Sequence, residues 1–156
     1  MTEPVRFDNI EKIIDFAIQR ERDAQASYLE YARATERRGF SELLLSMARM
    51  EKEHERKLLE LKQGQGTTEQ FTPPKGEDLG FSETLVDIPF SPDMDYGDFL
   101  VLVIRKEGEA EKLYRHLQNL ALNADLSGMF QMLADEERKH KDWAQERYDE
   151  DILKEN

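Results

Sequence analysis

The sequence of 156 residues contains no cysteine. This absence excludes disulfide bonds, thiolate zinc sites, and iron–sulfur or rubredoxin-type iron centres from the chain. No apolar run approaches the roughly 20 residues that a membrane-spanning helix needs. Residues 1–4 have neither the basic flank nor the apolar segment of a signal peptide. We therefore expect a cytoplasmic protein without a membrane partner.

Positive charge is also scarce. Lys and Arg number 22 against 34 Asp and Glu, so the formal net charge is −12. This charge disfavours nucleic acid and anionic membranes as partners and favours cations. Hydrophobic residues make up 38% of the chain and are strongly periodic, which indicates amphipathic helices rather than disorder. The length predicts one domain over residues 1–156.

Four segments carry apolar residues at helical spacing. They predict helices over residues 9–37, 40–62, 95–123 and 126–149. We expect Asp8 or Asn9 to begin the first helix, with Asp8 and Glu11 forming a capping box. Gly39 is suited to end that helix in the left-handed conformation.

Glycine and proline are concentrated in residues 63–94. Long helices cannot form there, and a connection of about thirty residues is long enough to return along a helix pair. We therefore predict a crossover, with one short helical turn over residues 81–86. Its apolar residues should hold it against the surface: Phe71, Phe81, Leu85, Val86, Ile88 and Phe90.

Polar residues interrupt the apolar stripe of each helix near its middle. Residues three or four apart share one face of a helix, and each interrupting residue stands where an apolar one is expected. These residues are Glu21 in the first helix, Glu51 and His54 in the second, Glu107 in the third, and Glu137 and His140 in the fourth. Most other glutamates, such as Glu30 and Glu60, read as ordinary surface residues. In a bundle, the six would meet at one height in the interior.

The interrupting residues also form a repeat. Glu-x-x-Ala-x-x-x-Tyr begins at Glu21 and again at Glu107, and Ala-x-x-Glu-x-x-His begins at Ala48 and again at Ala134. Both patterns recur after 86 residues. The chain therefore predicts two helical hairpins related by a pseudo-twofold axis and joined by the crossover.

Four buried carboxylates require positive charge. Each would cost several kcal/mol without a counter-charge, and the sum is comparable with the roughly 5–15 kcal/mol net stability of a domain. No Lys or Arg lies on the stripes in the central turns. Two divalent metal ions would supply four positive charges. Mixed carboxylate–imidazole ligation suits iron or manganese, whereas all-oxygen sites suit calcium or magnesium.

At these residues the sequence resembles the ferritin-like di-iron and di-manganese proteins, in which two helices each contribute a Glu and two each contribute Glu-x-x-His. The paired Glu-x-x-Ala-x-x-x-Tyr segments are similar to the rubrerythrin branch, and the resemblance covers about residues 9–61 and 95–148. It implies an all-α, ferritin-like four-helix bundle of two hairpins joined by one long crossover.

The resemblance also implies a role for each residue. The carboxylates that bridge two metals would be Glu51 and Glu137. Each metal would have one terminal glutamate and one histidine: Glu21 with His54, and Glu107 with His140. Tyr28 and Tyr114 would each donate a hydrogen bond to a ligand carboxylate, the alternative being that they only fill the core. No catalytic residue beyond the ligands is predicted.

By the same resemblance, the cofactor would be two iron ions, with manganese or zinc as alternatives. The pair would react with hydrogen peroxide or dioxygen, as a peroxidase or ferroxidase, and a separate electron-donor protein would reduce it. Rubrerythrins usually carry a further glutamate where Ala110 stands, so the resemblance does not extend to the carboxylate-to-histidine exchange of their peroxide chemistry.

One alternative is that the protein stores iron without catalysis. The other is that the metals are purely structural or that the bundle is an interaction module. The chain stops soon after the fourth helix, which disfavours a storage cage. We expect a homodimer, with or without exchange of helices between copies.

Overall fold

The computed structural model describes residues 8–75 and 89–154. These residues form four long helices and no strand, which confirms the all-α bundle. The helices are α1 (Ile10–Ala34), α2 (Arg38–Gln63), α3 (Tyr96–Leu120) and α4 (Ala124–Tyr148). A short 3₁₀ turn, Thr68–Gln70, follows α2, and a π-helical turn, Asp149–Leu153, follows α4. None of the described helices is long and apolar enough to cross a membrane.

Short polar side chains begin three of the helices. The Asn9 side chain accepts a hydrogen bond from the Lys12 amide at 2.8 Å, so Asn9 is the residue that caps α1. The predicted capping box at Asp8 does not form, because the Asp8 carboxylate pairs with the Lys12 ammonium at 3.1 Å. Asp95 and Asn123 cap α3 and α4 in the same manner. Such caps satisfy amide donors that the first turn leaves free.

The prediction for Gly39 is wrong. Helix α1 ends at Ala34, and the extended backbone of Thr35 turns the chain while its amide donates to the Tyr31 carbonyl at 2.9 Å. A left-handed glycine is therefore not needed, and Gly39 lies in the first turn of α2 with an ordinary φ angle. Helix α4 also starts earlier than predicted, at Ala124, because Asn123 provides its cap.

The helices pack as two antiparallel hairpins, α1 with α2 and α3 with α4. Across the hairpins, α1 lies antiparallel to α3: Tyr31 stacks on Phe99 at 3.8 Å between ring centroids, whereas Tyr114 reaches back to Glu21. The described part of the chain thus has the predicted arrangement. That residues 1–156 form a single domain stays a prediction.

Two apolar clusters fill the bundle, one toward each end. One cluster contains Ile13 and Ile14 of α1 with Leu113 and Leu117 of α3, and the other contains Phe40 and Leu44 of α2 with Phe99 and Val103 of α3. The six interrupting polar residues belong to neither cluster. They form a polar layer between the two apolar clusters, which exclude water from that layer along the long axis of the bundle.

The described part of the crossover is attached at both ends. Phe71 is 2% exposed and packs against the first cluster. The Thr72 amide donates to the Leu120 carbonyl at 2.7 Å, and the Leu122 amide donates to the Gln70 carbonyl at 2.8 Å. Phe90 packs against the second cluster. The predicted helical turn over residues 81–86, together with Ile88, lies outside the described residues.

Candidate metal centre

The six interrupting residues are the only buried polar or charged residues in the described part of the chain. Their relative exposures are 2% or less: Glu21, Glu51, His54, Glu107, Glu137 and His140. No Lys or Arg in the described ranges is buried with them. The apolar periodicity of each helix carries these side chains inward, because rotating a helix to expose them would expose its apolar stripe as well.

The six side chains form two groups that share two members. In each group, one ligand atom from each residue lies within 4.8 Å of the others. The first group is Glu21, Glu51, His54 and Glu137, and the second is Glu51, Glu107, Glu137 and His140. Glu51 and Glu137 therefore stand between two positions, where the resemblance places bridging ligands. Each group also has one glutamate and one histidine of its own.

The ligand atoms are left without partners. Seven buried side-chain nitrogen or oxygen atoms lack a hydrogen bond in the described structure, and six of them belong to these residues; the seventh is Nε of Arg20. A buried polar atom without a partner costs about 1–3 kcal/mol. One such atom on each of six residues, gathered in two overlapping groups in the interior, fits a site for metal ions rather than a structural hydrogen-bond network.

The histidines present Nδ1 to the carboxylates. Nδ1 of His54 lies 2.8 Å from Oε1 of Glu137, and Nδ1 of His140 lies 3.1 Å from Oε1 of Glu51. The geometry of these contacts is not that of hydrogen bonds, and both Nδ1 atoms remain available as ligand atoms. Each histidine thus approaches the shared glutamate of the opposite hairpin.

Crowding of the carboxylates shifts their pKa values apart. Burial, reinforced by the charges of Glu107 and Glu21, raises the pKa of Glu51 well above its usual 4.5. Burial and the same kind of repulsion raise the pKa of Glu137. Burial opposes ionisation of Glu107 too, but contacts with Glu137 and His140 outweigh it and lower its pKa to about 2. Burial and mutual repulsion thus disfavour the ionised forms of Glu51 and Glu137 when no cation is present.

Two tyrosines hold Glu107 and Glu21 through hydrogen bonds that cross between the hairpins. The hydroxyl of Tyr28 on α1 donates to Oε1 of Glu107 on α3. The hydroxyl of Tyr114 on α3 donates to Oε1 of Glu21 on α1. The predicted hydrogen bond from each tyrosine to a carboxylate of the cluster is therefore present. Each bond leaves the other carboxylate oxygen, Oε2, without a partner in the interior.

Two further residues contact the outer nitrogens of the histidines, and sequence reasoning assigned them no role. Nε2 of His54 is hydrogen-bonded to Oε2 of Glu136, and Nε2 of His140 lies 3.0 Å from Sδ of Met50. Each immediately precedes one of the two shared glutamates, so the position was visible in the sequence. The contact was not, because it is made with the opposite hairpin.

A cavity of about 680 Å³ opens between α1 and α3 and reaches the cluster. Among the described residues, its lining includes all four carboxylates of the cluster and neither histidine. Apolar walls come from Phe99, Leu102 and Val103, while the exposed Asp23 and Lys106 line its outer part. A water molecule occupies about 30 Å³, so molecules the size of dioxygen or hydrogen peroxide have ample room.

Small side chains keep this route open. Ala24 and Ala110 line the cavity at equivalent positions of the repeat, three residues after Glu21 and Glu107. Ala110 is the position where rubrerythrins usually carry the further glutamate. In this chain that place is part of the open cavity.

Comparison with known proteins agrees with the resemblance seen in the sequence. Residues 12–88, about half of the chain, match the family model described as Rubrerythrin. No match was found among curated proteins or among solved structures. The match covers the first hairpin, and the buried cluster adds the equivalent residues of the second. Together they indicate a metal site and make the chain a rubrerythrin-like member of the ferritin-like proteins.

Proposed function

We propose that the cluster holds two iron ions and that the protein is an oxidoreductase acting on hydrogen peroxide or dioxygen. The observation that carries this proposal is the cavity, which connects four interior carboxylates to the surface. A purely structural metal site is closed by its protein ligands, whereas a reactive one keeps a route for a small molecule.

Each of the two groups of side chains would bind one of the two metal ions. Glu51 and Glu137 would be shared, and each metal would have one terminal glutamate and Nδ1 of one histidine. Four carboxylates then offset four positive charges, and the repulsion that raises the pKa of Glu51 is relieved. The mixture of oxygen and imidazole ligands is the reason to propose iron rather than calcium or magnesium.

Two ferrous ions would supply the two electrons that, with two protons, convert one hydrogen peroxide to two waters. The residues of the chain hold and orient the site. Tyr28 and Tyr114 fix the terminal glutamates through their hydroxyls, and the apolar walls of the cavity limit the water that reaches the carboxylates. Because the chain has no cysteine, we propose that a separate protein returns the electrons.

The proposal is tested by anaerobic reconstitution of the full chain with Fe(II), followed by addition of peroxide or dioxygen in separate experiments. We expect two iron ions per chain and an absorption change within seconds of adding the preferred oxidant. Glu51→Gln should reduce the bound iron and abolish the change. Glu53→Gln is the matched control, since Glu53 lies on the exposed face of the same helix.

Three results would contradict the proposal. Uptake of hundreds of iron ions per particle would favour storage. Bound metal that reacts with neither oxidant, or a preference for zinc over iron, would favour a structural role. Equal iron binding in Glu51→Gln and Glu53→Gln would place the metal elsewhere.

A further inference from the structure

The two halves of the cluster differ in what stands behind each histidine. Met50 and Glu136 occupy equivalent positions of the repeat, 86 residues apart. Glu136 accepts a hydrogen bond from Nε2 of His54, whereas Met50 places its sulfur 3.0 Å from Nε2 of His140. Both side chains are half-buried. The six residues of the cluster obey the repeat, but the residues that contact the outer nitrogens of the two histidines do not.

The remaining surroundings of the two histidines are similar but not identical: Nδ1 of His54 has three carboxylates within 3.7 Å, and Nδ1 of His140 has two within 3.5 Å. Both rings are 0% exposed, and both direct Nδ1 at the cluster. Among the described residues, Tyr114 lies 6.4 Å from His54 and Trp143 lies 5.6 Å from His140, measured between ring centroids. Neither aromatic ring carries a charge. At the outer nitrogens, the electrostatic difference is therefore the one between the carboxylate of Glu136 and the thioether of Met50.

This difference acts on metal binding through the imidazole. A carboxylate that accepts the outer N–H holds the ring in the tautomer with a free Nδ1 and makes that nitrogen a stronger donor. A thioether sulfur is an uncharged and weak acceptor. His54 has the first kind of partner and His140 the second.

We infer that the two metal positions are inequivalent, and that Glu136 makes the Glu21–His54 position the tighter one, which fills first. The Glu107–His140 position is weaker because Met50 stands where the corresponding carboxylate would be. Glu136 is a positioning residue that acts through His54. The inference rests on the proposed metal site, and the expected difference in affinity is about 10- to 100-fold.

The test is a titration of the metal-free full chain with Co(II), followed by its visible absorption against a competing chelator. Repulsion between two bound metals would separate the binding steps even in a symmetric site. Variants are therefore needed to show whether Glu136 and Met50 cause the difference in affinity. Glu136→Met should weaken the first step by about 10- to 100-fold. Met50→Glu should tighten the second step by a similar factor. Glu53→Met, on the exposed face of α2, is the matched control and should change neither step.

A spectroscopic readout locates the first metal. With one equivalent of Co(II), proton NMR should show a paramagnetically shifted, slowly exchanging imidazole N–H from His54, and Glu136→Met should remove it. A misfolded variant, recognised by circular dichroism, could imitate a loss of affinity. It could not imitate the gain expected for Met50→Glu, which keeps the inference testable.

The outcomes separate this inference from the proposed function. Two cobalt ions bound with affinities that neither variant changes, or that both variants lower equally, would overturn the inequivalence and leave the metal site standing. Failure of the wild-type chain to bind cobalt or iron at all would overturn both.

Discussion

Glu51 is 1% exposed and lies among three other carboxylates, so its ionisation is coupled to folding when no metal is present. Burial, together with Glu107 and Glu21, raises its pKa well above 4.5. Such a group keeps its proton when folded and releases it on unfolding, so its stabilising contribution is present below the unfolded pKa and is lost as pH rises toward the folded one. Glu51→Gln removes this titration at almost constant volume. In the metal-free chain, the variant should therefore be the more stable one at neutral pH.

The size of this difference in the free energy of unfolding follows from the distance between the working pH and the unfolded pKa. Each pH unit above the unfolded pKa adds about 1.4 kcal/mol to the difference, up to the folded pKa. At about pH 7, about 2.5 units above the ordinary pKa of 4.5, the gain of Glu51→Gln is therefore at most about 3.5 kcal/mol. For a chain of this length, that corresponds to a rise in Tm of up to about 14 °C. The gain should shrink as the pH is lowered, by up to about 1.4 kcal/mol per pH unit.

The assay is urea denaturation after removal of metals by chelation, at about pH 7.5 and about pH 5.5, both above the sequence pI of 4.8. Glu53→Gln should leave the stability nearly unchanged. With metal at about 100 times its Kd, the wild-type chain should gain about 2.7 kcal/mol per site. Glu51→Gln, which lacks a shared ligand, should lose most of that gain. The reasoning is refuted if the metal-free variant is no more stable than the wild type at the higher pH, or if its gain is independent of pH.

Three other predictions concern the ligands and the cavity. Tyr114→Phe removes the hydroxyl that holds Glu21 and should lower metal affinity by about 10- to 100-fold in a chelator competition; unchanged affinity would mean that the tyrosine only fills the core. Ala110→Leu narrows the cavity and should slow the reaction with peroxide in stopped-flow measurements, without changing the number of iron ions bound; an unaltered rate would show that the oxidant enters elsewhere. Because burial raises the pKa values of Glu51 and Glu137, metal binding should release protons and tighten as the pH rises. Calorimetry in buffers of different ionisation enthalpy measures that release, and its absence would contradict the shifted pKa values.

The positions of the six cluster residues could be predicted from the sequence because two independent patterns agree there. The apolar period places Glu21 inside a helix bundle, and the repeat of 86 residues places Glu107 opposite it. Neither pattern depends on which helices touch. For that reason the cluster was predicted more accurately than the helix ends, where Thr35 rather than Gly39 turns the chain.

What the sequence did not reveal are the contacts between hairpins. The hydrogen bond expected of Tyr28 exists, but its acceptor is Glu107 of the other hairpin, and the crossing of α1 and α3 decides that choice. The contacts of Glu136 and Met50 are of the same kind. Both residues lie beside the apolar stripe of their helix. Whether each one reaches the histidine of the opposite hairpin depends on how closely α2 approaches α4.

The sharing of ligands between the hairpins has a mechanical consequence. Each group takes three residues from one hairpin and a single shared glutamate from the other. A metal ion bound there would cross-link the two halves of the chain, as disulfides do in proteins that have cysteine. Neither half holds all four residues of a group, so ions bound there would stabilise the docking of the halves. Removing bound ions should weaken the packing of one hairpin against the other before it unfolds the helices of either hairpin.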